Sequence, residues 1–218
     1  MLIPNGIDTN LFRPDPRLRE SIRAALEVDE STFVWLAVGR FEPQKDYSTM
    51  ISAFSKLHTV HPTAELIIAG QGPLQTNIQQ LVIQHNLASS VRFIGLRKDI
   101  VTLMNGADAF VLSSAWEGLP MVLLEAASVG LPIVATDVGG NQEVVYNNIN
   151  GYLSPPQDPS ALAEKMHCLM TLEPIKRLTM GQAGRQLIQT HFDLEVIVQR
   201  WEQIYLDLLN KKSVNHVS

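Results

Sequence analysis

The 218-residue sequence has a single cysteine, Cys168, so no disulfide can form within the chain, and this usage fits a reducing cytoplasm. No apolar run approaches the roughly 18 residues of a transmembrane helix. Residues 1–8 show neither the basic stretch nor the apolar core of a signal peptide. A formal net charge of −5 offers no general attraction to nucleic acid or to an anionic bilayer. Two further absences bear on chemistry. No Asp-x-Asp triple occurs, and no two of the six histidines are spaced i, i+4, so no metal site is read. Gly70-Gln71-Gly72-Pro73 lacks the third glycine of a dinucleotide fingerprint, since Gln75 stands there. Ser89-Ser90-Val91 occupy the stretch where an acidic ribose partner would fall. Both points argue against hydride chemistry.

What is present is an alternation. Hydrophobic residues make up 45% of the chain, enough for one domain with a substantial core and short for two. Short apolar runs at 33–38, 65–69, 91–94, 109–112, 132–136 and 151–154 read as strands, the first three each ended by a glycine. Between them lie patterns of helical period. Ile51, Phe54 and Leu57 share one face, as do Ile78, Leu81 and Val82, and Ile100, Leu103 and Met104. Helices are also predicted at 122–127, 161–170, 174–191 and 194–210, with a frayed tail over 211–218. Continuous apolar strands alternating with helices predict an α/β, Rossmann-like, doubly wound parallel sheet, here one domain over 1–218. Ligands in such sheets sit beyond the carboxyl ends of the strands. The segments to read for chemistry are therefore 39–46, 70–73, 95–99, 113–119 and 137–141.

The richest of these is Ser113-Ser114-Ala115-Trp116-Glu117-Gly118-Leu119-Pro120-Met121-Val122-Leu123-Leu124-Glu125-Ala126, running from a strand end through a loop into a helix. Gly118 allows close backbone approach to a ligand. Free N–H groups around Leu119 to Val122, a stretch that Pro120 opens into the helix, form an anion site aided by the helix dipole. Glu125 could accept from the vicinal hydroxyls of a ribose. The plainer alternative makes Glu117 a dipole partner and Glu125 a solvated helix residue, although the apolar neighbours of Glu125 weigh against it. In 39–46, Gly39 is followed by Arg40 and Lys45, a planar fork and a point charge suited to a diphosphate. The alternative there is a solvated loop with a surface pair such as Lys45 with Asp46. Asp137-Val138-Gly139-Gly140-Asn141 reads as a glycine turn into a short helix, either lining the cleft or purely structural.

In order and spacing these segments resemble the C-terminal domain of GT-B glycosyltransferases of family 4, the retaining group 1 transferases. The resemblance rests on Ile3-Pro4-Asn5-Gly6-Ile7-Asp8, Val38-Gly39-Arg40 with Lys45, Ile68-Ala69-Gly70-Gln71-Gly72-Pro73 and Val91-Arg92-Phe93-Ile94-Gly95. It continues through the Glu-x7-Glu pair of Glu117 and Glu125, Pro132-Ile133-Val134-Ala135-Thr136-Asp137-Val138-Gly139-Gly140 and Gly151-Tyr152-Leu153. It implies a catalytic set of Arg40, Lys45 and Glu117. Arg40 and Lys45 would hold the donor diphosphate, and Glu117 would meet the donor sugar's hydroxyls. The backbone of Gly118 to Val122 would touch sugar and phosphate, and Glu125 would accept from the ribose. The backbone near Gly95, Leu96 and Arg97 would meet the base, with Gly72 close by.

The implied reaction is retaining transfer of a hexosyl-type group from a nucleotide sugar, most commonly UDP-linked in this family, to a glycan or glycolipid acceptor in polysaccharide assembly. It needs no cofactor and no metal. A GT-B enzyme has an acceptor domain first, and few residues here precede Ile3. The chain is accordingly expected to be the donor half, incomplete without an N-terminal acceptor domain on the same or another chain. Peripheral contact with the inner membrane face through that half is left open. The competing reading is a non-catalytic nucleotide-sugar-binding module. A third, a sugar-nucleotide epimerase of the same fold, is disfavoured by the Glu-x7-Glu pair.

Overall fold

A computed structural model describes residues 3–214, with side chains described through residue 210. Strands β1 (Val34–Val38), β2 (Glu65–Ala69), β3 (Val91–Phe93), β4 (Ala109–Leu112), β5 (Ile133–Thr136) and β6 (Gly151–Ser154) form one sheet in the order β3-β2-β1-β4-β5-β6. Every pairing is parallel, with Leu36 of β1 opposite Ile67 on one side and Phe110 on the other. The chain winds outward from β1 through β2 to β3, then returns to the other side of β1. The topological switch point therefore lies between β1 and β4, where a crevice opens at the carboxyl ends.

Alternation along each strand explains why the runs are apolar throughout. Val34 and Leu36 enter one core with Phe110, Leu112 and Ile133, while Trp35 and Ala37 enter the other with Leu66, Ile68, Val111 and Val134. Helices cover both faces: α1 (Pro16–Ala25), α2 (Tyr47–Val60), α3 (Gln75–Gln84), α4 (Ile100–Gly106), α5 (Met121–Ser128), α6 (Asn141–Val144), α7 (Pro159–Met170) and α8 (Pro174–His191). Each large aliphatic side chain buried this way contributes about 1.5–3 kcal/mol. The scattered histidines also find tertiary roles. His61 Nε2 at the end of α2 lies 2.9 Å from His167 Nδ1 in α7, and His58 Nε2 lies 2.7 Å from Ser90 Oγ.

The predicted strands appear with shifts of one residue at most. Two helical features differ. The last helix, α9, runs Leu194–Val214, so the first four residues of the predicted tail continue it and 215–218 lie outside the described residues. The sequence reading also placed no element before residue 33, where α1 forms. Asp15 caps α1 by accepting from Arg17 N–H, and Pro16 occupies its first position. Its apolar stripe is thin, with only Ile22 and Arg23 buried, which is why periodicity did not reveal it.

Arg23 holds the amino edge of the sheet. Its side chain is 2% exposed. Its guanidinium donates to the carbonyls of Gly106, Asp29 and Thr32 and reaches Asp108 Oδ2 at 3.3 Å. The same Asp108 oxygen accepts from Val34 N–H at 2.8 Å, joining α1 to the start of β1. Removing Arg23 strands these acceptors in the interior. Arg23→Ala is expected to lower stability by about 3 kcal/mol, read as a fall in the urea midpoint at unchanged slope. Because this network lies at the end of the sheet opposite the crevice, a ligand bound there should retain its affinity.

Candidate functional site

The loop after β1 is anchored before it offers anything to a ligand. Phe41 is fully buried against Tyr47 and Phe93, with ring centroids 4.9 and 5.9 Å away. Tyr47 donates to the Gly39 carbonyl at 3.1 Å, and burial pushes its phenol up, keeping the proton that this bond needs. A 3-10 turn, Pro43–Lys45, ends at Asp46, which adopts a left-handed φ of 41° and caps α2 through Thr49. Ser113 Oγ, at the end of β4, lies 2.7 Å from the Lys45 carbonyl and 2.9 Å from that of Asp46. These bonds fix the backbone from which Lys45 projects.

Lys45 projects inward. Its Nζ donates to Glu117 Oε1 at 2.5 Å, and not to the neighbouring Asp46. Gln44 Nε2 reaches Glu117 Oε2 at 3.1 Å, and Ser114 Oγ reaches Oε1 at 2.6 Å. The pair is largely withdrawn from water, with side-chain exposures of 16% for Lys45 and 5% for Glu117. At such burial the desolvation cost roughly offsets the Coulomb attraction, so the pair positions its members more than it stabilises the fold. Arg40 behaves differently. Its side chain is 74% exposed and bonds Glu42 at 2.8 Å. Arg40 and Lys45 thus lie on one loop but share no partner.

Glycines hold the Glu117 loop in place. Gly139 has φ +47°, and a Cβ there would lie 1.9 Å from the Glu117 carbonyl oxygen. Gly140 N–H donates to the Gly118 carbonyl at 2.7 Å. The turn at 137–141 therefore supports the loop from behind. Gly118 itself faces open space, with no atom within 4 Å of the position a Cβ would take. Beyond it Pro120 caps α5 without a side-chain acceptor. Leu123 N–H turns back to the Pro120 carbonyl, which leaves the amides of Met121 and Val122 with no partner among the described residues. Leu119, Met121 and Val122 are partly buried against the core.

Glu125 sits one turn further along α5, partly buried among Leu124, Ala126 and Ala127. Its carboxylate has no donor or cation among the described residues, and burial raises its pKa. A carboxylate held this way gains from any hydroxyl that reaches it.

A pocket of about 310 Å³ opens at the ends of β1 and β2, lined by Gly39, Arg40, Gly70, Gln71, Leu96 and Arg97 among others. Gly95, with φ +69°, turns the chain into this wall. Leu96 stands exposed, and Arg97 bonds Asp99 at 2.8 Å, which raises the guanidinium's pKa and lowers the carboxyl's. Gly72 lies outside this lining. A Cβ there would sit 2.6 Å from backbone atoms of Phe41, so its demonstrable role is loop packing. The residues named from sequence thus form three groups: the pocket with Arg40, the partly buried Lys45–Glu117 pair, and the α5 amides with Glu125. Sequence reasoning missed Gln44, Ser113 and Ser114. The available signal was two serines directly continuing a buried strand, where polar groups need partners.

Among the described residues no group of three or more potential metal ligands occurs, and no helix is long and apolar enough to cross a membrane. The sequence profile described as glycosyl transferases group 1 matches residues 19–187. The chain is 29% identical over 215 residues to the UDP-Gal:alpha-D-GlcNAc-diphosphoundecaprenol alpha-1,3-galactosyltransferase of Escherichia coli, covering 97% of this chain and 55% of that protein. Its fold matches sucrose-phosphate synthase from Thermosynechococcus elongatus with a TM-score of 0.87 at 30% identity, over 97% of this chain and 53% of the other. It matches Anabaena HepE in complex with UDP with a TM-score of 0.89 at 27% identity, over 95% and 57%. The chain spans about half the length of the relatives it matches. A profile covering most of the chain, a shared doubly wound fold and the Glu-x7-Glu loop at the switch point agree, and the chain belongs to the group 1 family of glycosyl transferases.

Proposed function

We propose that this chain binds the nucleotide-sugar donor of a retaining hexosyl-type transferase, a UDP-linked sugar, and delivers its glycosyl group to an acceptor hydroxyl together with an N-terminal acceptor domain. The observation that carries the reading is that, among the described residues, the carboxylate of Glu125 has no partner and lies one turn behind the unpaired amides of Met121 and Val122. The amides suit phosphate and the carboxylate suits a ribose diol, in the order in which a nucleotide presents them. The UDP complex of HepE, a protein of the same fold, supports the choice of base.

In this reading Leu96 and Arg97 border the base. Arg40 swings from Glu42 to the diphosphate, and Lys45 faces the same charge from inside. Each cation stabilises the departing nucleotide by about 4 kcal/mol before desolvation, taking 4 Å and an effective dielectric near 20. Glu117 receives the sugar, and no step requires a metal. The acceptor half would cover the apolar face of α9, where Val198, Trp201 and Leu208 are exposed and Ile204 is partly buried. The reaction belongs to glycan or glycolipid assembly in the cytoplasm, with membrane contact made through the acceptor half.

Calorimetric titration in chelator tests the assignment of roles. The chain is expected to bind UDP without added metal. Glu125→Ala should weaken both uridine and UDP by about 1.5–3 kcal/mol, whereas Arg40→Ala with Lys45→Ala should weaken UDP and spare uridine. Equal losses for both ligands in both variants would refute the assignment.

The raised pKa of Glu125 has a pH signature. Its protonated form favours the folded state, so this contribution is present below the ordinary carboxylate pKa and is lost as pH rises through the raised value. Glu125→Gln mimics the protonated form at every pH. Without ligand, its melting temperature should exceed the wild type's at neutral pH and converge with it in acid. Saturating UDP should reverse the order at neutral pH, because ribose hydroxyls bond a two-oxygen carboxylate more strongly than the single neutral carbonyl of an amide.

Catalysis also needs the acceptor hydroxyl held against the donor carbon and water kept out. The purified chain is expected to give slow donor hydrolysis at most, with transfer recovered when an acceptor domain is fused or supplied. Robust sugar transfer to a broad acceptor panel by the chain alone would overturn this division of labour.

A further inference from the structure

The two oxygens of the Glu117 carboxylate have unequal surroundings. Oε1 receives the Lys45 ammonium at 2.5 Å and the Ser114 hydroxyl at 2.6 Å, which together use its lone pairs. Oε2 receives only Gln44 Nε2, at 3.1 Å. One acceptor position on Oε2 is therefore unused among the described residues. Gln44 is half used in the same way. Its side-chain carbonyl has no partner among the described residues, and the residue is partly exposed. Its backbone is nevertheless fixed, because Ala115 N–H donates to the Gln44 carbonyl at 2.8 Å.

The result is a carboxylate oxygen beside an amide, each with acceptor capacity to spare and each held by a loop that the other loop braces. Two neighbouring acceptors of this kind match two adjacent hydroxyls on a pyranose ring. The direction of the second hydroxyl differs between cis and trans pairs, so two fixed acceptors can discriminate sugars. We propose that Gln44 is a donor-sugar contact and specificity determinant, acting beside Oε2 of Glu117, while Ser114 and Lys45 anchor Oε1. The proposal rests on the nucleotide-sugar reading of the site and adds a residue that neither the Glu-x7-Glu pattern nor the cationic loop residues identify.

The test compares nucleotide with nucleotide sugar. The whole chain is titrated calorimetrically in chelator with UDP, UDP-glucose, UDP-galactose and UDP-N-acetylglucosamine, as wild type, Gln44→Ala and Gln44→Met. The methionine variant keeps the volume of the side chain, and thermal unfolding checks that both variants fold. UDP affinity is expected to change less than about twofold in both variants. Affinity for the best-bound UDP-sugar should fall about tenfold, the size of one or two lost hydrogen bonds, so that the preference among the three sugars shrinks. A parallel loss for UDP and UDP-sugars would overturn the proposal, since Gln44 would then only support the ion pair. Unchanged affinity for all four ligands would overturn it as well. A wild type that binds UDP but no UDP-sugar sinks the proposal and leaves the nucleotide site standing. A wild type that binds none of the four sinks both.

Discussion

In a sheet whose strands all run the same way, every strand leaves at the same edge, and here that constraint governs everything else. The loops after β1 and β4 are distant in sequence but emerge side by side, because these strands are hydrogen-bonded neighbours at the point where the winding reverses. Lys45 comes from one loop and Glu117 from the other, and their ion pair closes the gap. Its net energy is small once desolvation is counted. Its consequence is geometric: breaking either partner would leave a buried charge, so the two loops keep one arrangement.

The rest of the cleft is braced by groups that carry no charge. Ser113 and Thr136 are fully buried, and each donates its hydroxyl to backbone carbonyls of a neighbouring segment: Ser113 to Lys45 and Asp46, Thr136 to Ser114. Gly139 allows the backbone behind Glu117 to approach as no other residue would, and Gly70 does the same against the Gly39 carbonyl. Such networks are costly if half made and rigid if complete. The loops that border the cleft can therefore be irregular without being loose.

The two edges of the sheet contrast in how well their polar groups are satisfied. At the amino edge, Arg23, Arg19 and Asp108 consume one another's hydrogen bonds and those of nearby carbonyls. At the carboxyl edge, Glu125 has no partner among the described residues, the first amides of α5 are open, and Arg40 extends into solvent. The chain itself meets most of the polar groups at the amino edge, the buried Arg23 Nε excepted, whereas the carboxyl edge keeps charged and polar groups unused among the described residues. Unmet polar capacity gathered at a switch point is the signature of a binding site. It also carries a stability cost that a ligand can remove.

How much of this was legible beforehand follows from the range of each interaction. Strand runs such as 65–69 and 109–112 were readable because burial on both faces demands apolar residues at consecutive positions, a local pattern. The Glu117–Glu125 spacing and the Pro120 entry into α5 were readable because both are contained in one short stretch of sequence. Helix α1 was not, because its capping signal is local but its core contribution is one isoleucine and one buried arginine. The sequence by itself determined the parallel doubly wound class and the edge of the sheet at which Arg40, Lys45, Glu117 and Glu125 gather. Only the tertiary structure decided their pairing: Lys45 with Glu117 rather than Asp46, Arg40 outward on Glu42, and Gln44 and Ser114 on a single carboxylate. The contacts of Lys45 and Gln44 with Glu117 depend on which loops the switch point brings together, and a local pattern cannot encode a contact between segments that meet only when the sheet is assembled.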